Sequence, residues 1–563
     1  MSGRMGPQAR AEALRRMREE PFDLVVVGGG VVGCGAALDA ATRGLNVALV
    51  EARDFGSGTS SRSSKLIHGG LRHLEQGRIE LEALRERELL LERICPHLAH
   101  PAPFVIPLER RGLDRGYLGA GVALYDMLGG RRAVPRHRHL TRRGVLRLMP
   151  GLRADRVSGG ILLHDGQVDD ARHTVALART AAHYGAALAA SARAEGFLRA
   201  GERVAGVTVR DLETGERIEV RGRMVLNAAG VWTDELQDMV GGRGRFKVTA
   251  SKGVHLVVPR DRIQADAGLL LRTEKSVLFV IPWGWRWLIG TTDTPWNLDL
   301  AHPAASRADI DYLLERVNRV LASPLTHADI TGVYAGLRPL LAGETEETST
   351  LSREHSVASP APGLVAVAGG KYTTYRIMAR DAVDAAARGL GHDVAPSCTE
   401  EVTLLGADGW RTLLNARERI AERAGLHVAH VEHLLGRFGA ETHAVLELIA
   451  AQPELGTPLP GAEDYLAAEI RWAVLAEAAL HLDDVLTRRT RISIETWDRG
   501  LAAAEPVARL MAPVLGWGDA DVAAELAAYR DRVEAERRSQ EQPTDATADF
   551  ERLAAPDTRT ARV

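Results

Sequence analysis

The sequence is short of three features: cysteine, long apolar runs and net charge of either sign. Its 563 residues include only three cysteines, Cys34, Cys95 and Cys398, which lie far apart and form no CxxC pair. This excludes a disulfide framework and a thiolate zinc site and favours a reducing, cytoplasmic environment. The formal net charge of −3 gives no general attraction to nucleic acid, so no nucleic-acid partner is expected.

Spanning and secretory segments are missing as well. No stretch approaches the ~18–20 consecutive apolar residues that a transmembrane helix requires. The first twenty residues carry arginines and glutamates without the apolar core of a signal peptide. Any contact with a membrane is therefore expected to be peripheral.

The chain is too long for one ordinary hydrophobic core, so two or three domains are expected. Residues 22–27 (FDLVVV) predict a buried parallel strand, residues 31–43 an alanine-rich helix and residues 46–51 a second strand, which together make a βαβ unit. Five later strand-like segments predict an inserted antiparallel sheet, at 204–210, 217–220, 254–258, 277–281 and 286–289. Beyond about residue 400 the pattern is helical, including an apolar stripe over 463–486.

The turn after the first strand fits the GxGxxG pattern at Gly28, Gly30 and Gly33. In such turns the first glycine permits the bend, the second lets the backbone approach a pyrophosphate, and the third packs helix on strand. The following helix N-terminus offers N–H donors to phosphate. Glu51 lies 18 residues after Gly33, where a carboxylate accepts from ribose hydroxyls. The pattern predicts a dinucleotide without a 2′-phosphate, hence NAD or FAD.

Two further glycine turns favour FAD. Residues 225–230 (VLNAAG) and 365–371 (VAVAGGK) are apolar strands that run into small residues, and small residues let backbone approach a flat ligand closely. The flavin end of FAD needs such distant walls, whereas NAD does not. Residues 59–72 (TSSRSSKLIHGGLR) add a loop dense in hydroxyls, glycines and basic side chains. We expect this loop to wrap the pyrophosphate and isoalloxazine; a solvated flexible loop is the alternative.

With these motifs in view, the sequence resembles the FAD-dependent glycerol-3-phosphate dehydrogenases of bacteria and mitochondria. Besides the motifs above, the resemblance rests on VDDAR (168–172), SKGVHLVVPR (251–260), AGLRPL (335–340) and GGKYTTYR (369–376), in the family's order. It covers about residues 20–380, and the segment 471–491 extends it to roughly 520. One position departs from the pattern, since His73 stands where some members have tyrosine.

The resemblance implies a fold that combines α/β and α+β parts: a Rossmann-like FAD-binding domain, an inserted antiparallel β-sheet substrate domain and a C-terminal all-α domain. The predicted divisions are an N-terminal extension at 1–20, the FAD-binding domain at 21–395 with its substrate part mainly at 95–160 and 240–350, a helical domain at 396–535 and a disordered tail at 536–563.

The resemblance also implies a reaction, the oxidation of sn-glycerol 3-phosphate to dihydroxyacetone phosphate by hydride transfer to flavin, with electrons passed to a membrane quinone. Removing the hydroxyl proton requires a base, and the phosphate requires fixed cations, preferably guanidinium groups. The resulting assignments are His255 as the base, Arg338 and Arg72 at the phosphate, and Lys371 at the substrate or flavin carbonyl edge. Thr291, Thr292 and Asp293 either line the same pocket or form a turn.

The expected cofactor contacts lie in the fingerprint, the second strand, the hydroxyl-rich loop and the two later glycine turns. They are Gly28, Gly29, Gly30, Val31, Val32, Gly33, Glu51, Ala52, Thr59, Ser60, Ser64, Lys65, Leu66, His68, Gly69, Gly70, Gly230, Gly370, Lys371 and Thr373.

A basic stretch suggests where a membrane would be met. Residues 110–143 hold nine arginines against two aspartates, a net +7, around a mainly apolar segment at 117–128. Basic residues that flank an apolar segment suit an anionic membrane surface; a solvated surface or a contact with another protomer are the alternatives. We expect a cytoplasmic protein held peripherally at the inner face of the cell membrane, possibly as a homodimer.

Two rival functions remain at this stage. An α-glycerophosphate oxidase would give the same product but reduce O2 to hydrogen peroxide, and a flavin-fold binding protein would not turn over at all. The cluster of His481, Asp484 and Arg488 is interpreted as a structural ion pair, because Asp484 and Arg488 are four residues apart on an expected helix. No metal is assigned.

Overall fold

The structure, a computed structural model, describes residues 3–69, 81–108, 134–241, 247–272, 277–342, 355–555 and 557–561. Within these ranges the strands form three sheets, of eight, ten and two strands, and the C-terminal part is mostly helical. Every helix in the same ranges is too short or too polar to span a bilayer.

The strands follow one another through the first two thirds of the chain, with a short pair near residue 460. They are β1 (Phe22–Val27), β2 (Val47–Val50), β3 (Leu66–Ile67), β4 (Ala99–Leu108), β5 (Arg138–Thr141), β6 (Gly159–Val168), β7 (Ala187–Ala189), β8 (Ala192–Ala200), β9 (Arg203–Asp211), β10 (Arg217–Asn227), β11 (Val248–Pro259), β12 (Gly268–Arg272), β13 (Val277–Trp283), β14 (Arg286–Gly290), β15 (Thr294–Trp296), β16 (Gly332–Leu341), β17 (His355–Ala361), β18 (Leu364–Gly369), β19 (Pro458–Leu459) and β20 (Ala462–Leu466).

The α-helices are concentrated after residue 400. They are α1 (Pro7–Glu19), α2 (Val31–Thr42), α3 (Leu81–Leu89), α4 (Arg142–Leu148), α5 (Asp170–His183), α6 (Thr233–Asp238), α7 (Arg307–Asn318), α8 (Tyr375–Ala387), α9 (Trp410–Asn415), α10 (Arg417–Ala424), α11 (Val428–Phe438), α12 (Thr442–Ala451), α13 (Ala467–Ala476), α14 (Leu482–Asp484), α15 (Ile492–Glu495), α16 (Leu501–Leu515), α17 (Asp519–Glu541), α18 (Asp545–Leu553) and α19 (Thr558–Ala561). Two π-helical turns, Leu90–Ile94 and Val485–Arg489, interrupt this pattern.

The first sheet has a parallel core in the order β18-β10-β1-β2-β7, with β17 antiparallel at one edge. Its central strands are almost wholly buried and apolar, as expected for parallel strands covered on both faces. Helices α2, α5 and α8 pack together against this core. The predicted βαβ unit is confirmed as β1, α2 and β2. A ligand site is expected at the carboxyl ends of such strands.

The second sheet is the predicted antiparallel insertion, and it is larger than expected. Strands β11 to β16 join β3, β4, β5 and β6 in one ten-stranded sheet, in which the β4–β12 pair is parallel. The segments 254–258, 277–281 and 286–289 belong to it, as predicted. The segments 204–210 and 217–220 do not. They lie in β9 and β10 of the first sheet, because β10 pairs antiparallel with β9 over its first half and parallel with β1 over its second.

Two local predictions need correction, one in the helical region and one in the C-terminal tail. The apolar stripe over 463–486 is not one helix, because β20 occupies its start. Helix α13 follows and ends at Ala476, two residues before Ala478, which adopts a left-handed φ of 58°. The N-terminal extension contains α1, which buries Ala13, Leu14 and Met17 in the core beside β7 and β10. The domain divisions themselves stay predictions.

The C-terminal tail, predicted to be disordered from residue 536, is helical. Helix α17 continues to Glu541, α18 follows, and Arg559 is buried. The tail is poor in large apolar residues, which is why composition indicated disorder. It is held by ion pairs instead: Asp545 lies 2.6 Å from Lys252, and Arg559 lies 2.9 Å from Asp484.

Candidate functional site

A cavity of about 790 Å³ opens where the carboxyl ends of β1, β2, β10 and β18 face one end of the second sheet. Its walls include the three glycine turns after β1, β10 and β18, the loop of residues 59–68, and part of β11 and β16. The volume falls in the range of ~300–1,000 Å³ typical of cofactor and ligand sites. We call it the large cavity.

The glycine fingerprint has the geometry that its sequence predicts. Gly28 has a φ of +111°, and a Cβ there would lie 2.6 Å from the carbonyl oxygen of Ala228. A Cβ on Gly33 would lie only 1.9 Å from the carbonyl oxygen of Gly28. Only glycine at this position lets helix α2 pack so closely against the end of strand β1. Helix α2 begins at Val31, directly at the cavity wall.

Glu51 lies at the end of β2 and lines the large cavity. One carboxylate oxygen accepts from the Gly29 amide at 2.6 Å and the other from the Arg53 amide at 2.8 Å. Burial nevertheless raises its pKa above the ordinary value, because desolvation outweighs these two hydrogen bonds. Each oxygen keeps a lone pair for a ribose hydroxyl.

The loop of residues 59–69, here called the flavin loop, is fixed by its own hydroxyls. Thr59 Oγ1 donates to the Leu337 carbonyl at 2.7 Å, and Ser60 Oγ accepts from the Val31 amide at 2.9 Å. The loop therefore joins the fingerprint to β16. This order argues against the solvated flexible loop considered from sequence.

His255 projects from β11 into the large cavity beside the flavin loop. Its ring stacks on Tyr334 with centroids 4.8 Å apart, and its Nε2 lies 2.8 Å from Ser64 Oγ. Burial, reinforced by the charges of Lys65 and Arg338, holds its pKa well below the ordinary value. The imidazole is therefore neutral at neutral pH. Its buried Nδ1 has no hydrogen-bond partner among the described residues.

Arg338 projects from β16 into the same cavity. Its Nη2 donates to Thr291 Oγ1 at 3.0 Å and to the Thr292 carbonyl at 3.2 Å, and its Nη1 lies 3.7 Å from Asp293 Oδ1. Thr291, Thr292 and Asp293 therefore orient the guanidinium group of Arg338. Gly253 makes room, since a Cβ there would lie 2.6 Å from Arg338 Nη2.

Most other predicted site residues are placed at the large cavity, and a few are not. Those that line it are Gly28, Gly30, Val31, Val32, Glu51, Ala52, Thr59, Ser60, Ser64, Leu66, His68, Gly230, Gly370 and Lys371. Gly29, Gly33, Gly69 and Thr373 lie behind this wall. Arg72 and Gly70 fall outside the described residues.

Lys65 was predicted to contact the cofactor, and its side chain instead points away from the large cavity. Its Nζ is wholly buried, 2.9 Å from Asp170 Oδ1 and 2.9 Å from the Ser61 carbonyl. Burial lowers its pKa to about 8 despite the attraction of Asp170. Lys65 anchors the flavin loop from behind, a role that the basic, hydroxyl-rich sequence pattern does not distinguish from ligand binding.

Sequence reasoning missed several wall residues. Arg62 lies within the loop motif of residues 59–72 but was not singled out, while His302, Leu553 and Asp557 come from segments with no motif at all. Leu553 and Asp557 belong to the tail, so the C-terminal end of the chain closes part of the cavity. No local sequence signal could have located that contact.

Comparisons with known proteins give matches over nearly the whole chain. A family model described as FAD dependent oxidoreductase matches residues 23–381, and one described as the C-terminal domain of alpha-glycerophosphate oxidase matches residues 397–522. A glycerol-3-phosphate dehydrogenase of Mycobacterium leprae is 60% identical over 558 residues, covering 99% of this chain and 95% of that protein. The chain belongs to the FAD-dependent glycerol-3-phosphate dehydrogenase family.

More distant members of this family match over most of the chain. The mitochondrial glycerol-3-phosphate dehydrogenase of Mus musculus is 36% identical, with 91% of this chain and 73% of that protein covered. The crystal structure of the glycerol-3-phosphate dehydrogenase from Bacillus halodurans, complexed with FAD, superposes with a TM-score of 0.79 at 29% identity, covering 96% of this chain and 99% of the other. The predicted fold class is confirmed.

FAD, the cofactor of the family, fits the residues present. The fingerprint leaves the backbone of Gly30 and Val31 at the cavity wall, Glu51 offers carboxylate oxygens to a ribose, and Gly230 has open space where a Cβ would stand. These features occur along one continuous cavity, as the length of FAD requires. The described residues contain no cluster of side chains suited to a metal ion.

Proposed function

We propose that the protein oxidises sn-glycerol 3-phosphate to dihydroxyacetone phosphate and passes the electrons to a membrane quinone. The observation that carries the proposal is the placement, in one cavity with the dinucleotide fingerprint, of a buried histidine with a lowered pKa and an arginine that Thr291 and Thr292 orient. His255 suits removal of a hydroxyl proton, and Arg338 suits a phosphate.

FAD, held by the glycine fingerprint, Glu51 and the flavin loop, would supply the hydride acceptor. His255 takes the hydroxyl proton, and its stacking on Tyr334 and its contact with Ser64 hold the ring in one orientation. A positioned base of this kind typically contributes ~10²–10⁴-fold to the rate.

Arg338 holds the phosphate, and the hydroxyl and carbonyl that it contacts fix the orientation of its guanidinium group. Lys371 follows two glycines of positive φ at the end of β18 and lines the same cavity, which suits the substrate or the flavin carbonyl edge. Arg72 lies outside the described residues, and its assignment to the phosphate stays a prediction.

The quinone and the membrane face are the finer part of the proposal. In the basic stretch of residues 110–143, the described arginines at 136, 138, 142 and 143 are exposed. Exposed cations near an anionic bilayer are worth ~1 kcal/mol each. The alternative, an oxidase that uses O2, leaves the flavin and substrate sites as they are and changes only the acceptor.

An acceptor comparison tests the proposal. With glycerol 3-phosphate as donor, the FAD-loaded enzyme is assayed with a short-chain quinone and, separately, with O2 while peroxide is measured. We expect rapid quinone reduction and little peroxide. Stoichiometric peroxide with slow quinone reduction would establish the oxidase instead.

Vesicle binding tests the membrane face separately. Replacing Arg136, Arg138 and Arg143 with glutamine should weaken binding to anionic vesicles and leave flavin reduction by substrate intact. Three exposed arginines of β10, Arg217, Arg221 and Arg223, form a matched control of equal charge. Equal loss of binding in both triple variants would show non-specific charge attraction rather than a defined face.

A further inference from the structure

A second cavity, the small cavity, lies beside the large one, with a volume of about 80 Å³. Five parts of the chain wall it: the flavin loop, residues 302–305, residues 333–335 of β16, the π-helical turn at 485–489 with the residues after it, and helices α17 and α18. Arg62 and His302 line both cavities. The small cavity therefore adjoins the cofactor site without being part of it.

The wall of the small cavity is strongly cationic. Its charged members are Arg62, Lys65, Arg488, Arg491, Arg532, Arg552 and a single carboxylate, Glu536. Four of these cations pair with carboxylates behind the wall, in the pairs Lys65–Asp170, Arg488–Asp54, Arg491–Asp169 and Arg532–Asp483. The carboxylate of the wall that remains for Arg62 and Arg552 is that of Glu536. It lies 3.5 Å from Arg552 and 3.1 Å from Arg532.

Two buried donors beside this cavity lack hydrogen bonds, and a third donor group, the half-buried Arg62 guanidinium, lines the cavity. Across the described ranges, the Arg62 guanidinium makes no hydrogen bond or ion pair, and the charges nearest to it belong to other arginines. Arg552 is 4% exposed, and its buried Nη1 has no hydrogen-bond partner there either. Arg552 Nη2 lies 3.4 Å from His302 Nδ1, so the proton of the neutral His302 ring is on Nε2. That nitrogen is also buried without a hydrogen bond, 3.8 Å from Asp557.

Buried donors in native proteins are nearly always satisfied, so two unsatisfied buried donors beside a guanidinium group that faces the same cavity indicate a missing acceptor. We propose that the small cavity binds a small tetrahedral oxyanion of the phosphate class, held by Arg62, Arg552 and His302. Guanidinium forks bind such anions through two parallel hydrogen bonds. A volume of 80 Å³ admits one such ion, given that a water molecule occupies roughly 30 Å³ in the liquid.

The electrostatics of the wall agree with this geometry. Burial and then the surrounding arginines hold the pKa of His302 well below its ordinary value, and burial lowers the pKa of Arg552 to about 10. Burial is the main cause of both pKa shifts, and for His302 the neighbouring Arg552, Arg53 and Arg62 lower the pKa further. A bound oxyanion would link the flavin loop to α18 and so hold the tail against the large cavity.

Inorganic phosphate and the FAD-loaded protein test the site. Because the proposed substrate site also binds phosphate, titration calorimetry is done in an Arg338→Ala background, where we expect one phosphate per chain. Adding Arg62→Met should weaken binding about ten- to hundredfold, as expected for loss of charge-assisted hydrogen bonds. Arg552→Met should weaken it similarly and serves if the first variant does not fold. Adding Arg153→Met, which removes an exposed arginine outside the cavity wall, should leave binding unchanged.

Two results would overturn the proposal. Absence of saturable phosphate binding in the Arg338→Ala protein, or binding that neither cavity variant weakens, would show that the small cavity holds only water. Release of FAD from Arg62→Met, with no phosphate binding in its parent, would assign the donors to the cofactor diphosphate. Anaerobic flavin reduction by glycerol 3-phosphate in the unmodified protein distinguishes either result from failure of the proposed function.

Discussion

Arginine has opposite roles in two regions of this molecule, the wall of the large cavity and the layer that joins the C-terminal helices to the rest. At the cavity, Arg338 lies 3.7 Å from Asp293 Oδ1 and lines the space open to a ligand. In the joining layer, Arg489 donates to both oxygens of Asp54 at 2.7 Å, and Arg172 donates to both oxygens of Glu477 at 2.6 and 2.7 Å. The difference lies in where the guanidinium group is placed. A cation that donates to both oxygens of a buried carboxylate holds structure, whereas one that lines the large cavity can bind an anionic ligand.

The largest effect, on the rate of flavin reduction, is expected from replacing His255, the proposed base in the large cavity. His255→Asn should lower the rate of anaerobic flavin reduction by ~10²–10⁴-fold while the protein still binds FAD and glycerol 3-phosphate. Stopped-flow absorbance of the flavin measures this rate. In the unmodified enzyme the rate should show no loss near pH 6.5, because the pKa of His255 lies well below that value. A variant with an unchanged rate would remove His255 from the chemistry.

In the layer that joins the C-terminal helices to the rest of the chain, removing a buried carboxylate should lower the stability of the fold. Asp54→Ala leaves Arg488 and Arg489 buried without their shared carboxylate, which should lower the free energy of unfolding by about 3–5 kcal/mol. Denaturant unfolding of the FAD-loaded protein measures it. Asp155→Ala, which removes an exposed ion pair with Arg153, is the control and should change little. Equal stability of the two variants would contradict a structural role for this layer.

An effect of intermediate size on kcat/KM is expected at Arg338, the arginine that lines the large cavity. Arg338→Ala should lower kcat/KM for glycerol 3-phosphate by about ten- to hundredfold, because a charge-assisted hydrogen bond is worth ~1.5–3 kcal/mol. Arg338→Lys should recover part of the loss, and the melting temperature should hardly move in either variant. A large fall in stability with normal kcat/KM would place Arg338 among the structural arginines.

The smallest effect concerns pH in the helical region. Burial alone would lower the pKa of His481, but hydrogen bonds to Glu213 and Glu525 raise it to about 9. A raised histidine pKa stabilises the fold fully below pH ~6.5, and that contribution is lost as pH rises toward 9. The unfolding free energy of the parent relative to His481→Gln should therefore fall over this range, by on the order of 2 kcal/mol. A pH-independent difference would show that His481 stays neutral.

The comparison also shows what the sequence could predict. The fingerprint, the flavin loop, His255 and Arg338 all lie in short motifs, so their chemistry was visible locally, and the βαβ unit and inserted sheet followed from strand patterns. The ion pair of Asp484 with Arg488 was visible too, being four residues apart, and is confirmed at 2.7 Å. Its extension to Asp54 joins residues 434 apart, which no local pattern indicates.

The C-terminal tail shows even more strongly that a local sequence pattern does not reveal long-range ion pairs. Its composition predicted disorder because it lacks large apolar residues, whereas its order depends on pairs such as Lys252 with Asp545. Lys65 was assigned to the cofactor for the corresponding reason, since its partner Asp170 lies 105 residues away. Charged residues are hard to assign from sequence because their role depends on a distant counter-charge.

Anaerobic flavin bleaching tests the central claim most directly. The purified protein should carry noncovalent FAD, and sn-glycerol 3-phosphate added without O2 should bleach the flavin spectrum in a saturable way. Glycerol, which lacks the phosphate, should bleach it poorly at the same concentration. Bleaching by both compounds alike, or by neither, would contradict the claim that a neutral base and an available guanidinium group in the large cavity select and oxidise a phosphorylated alcohol.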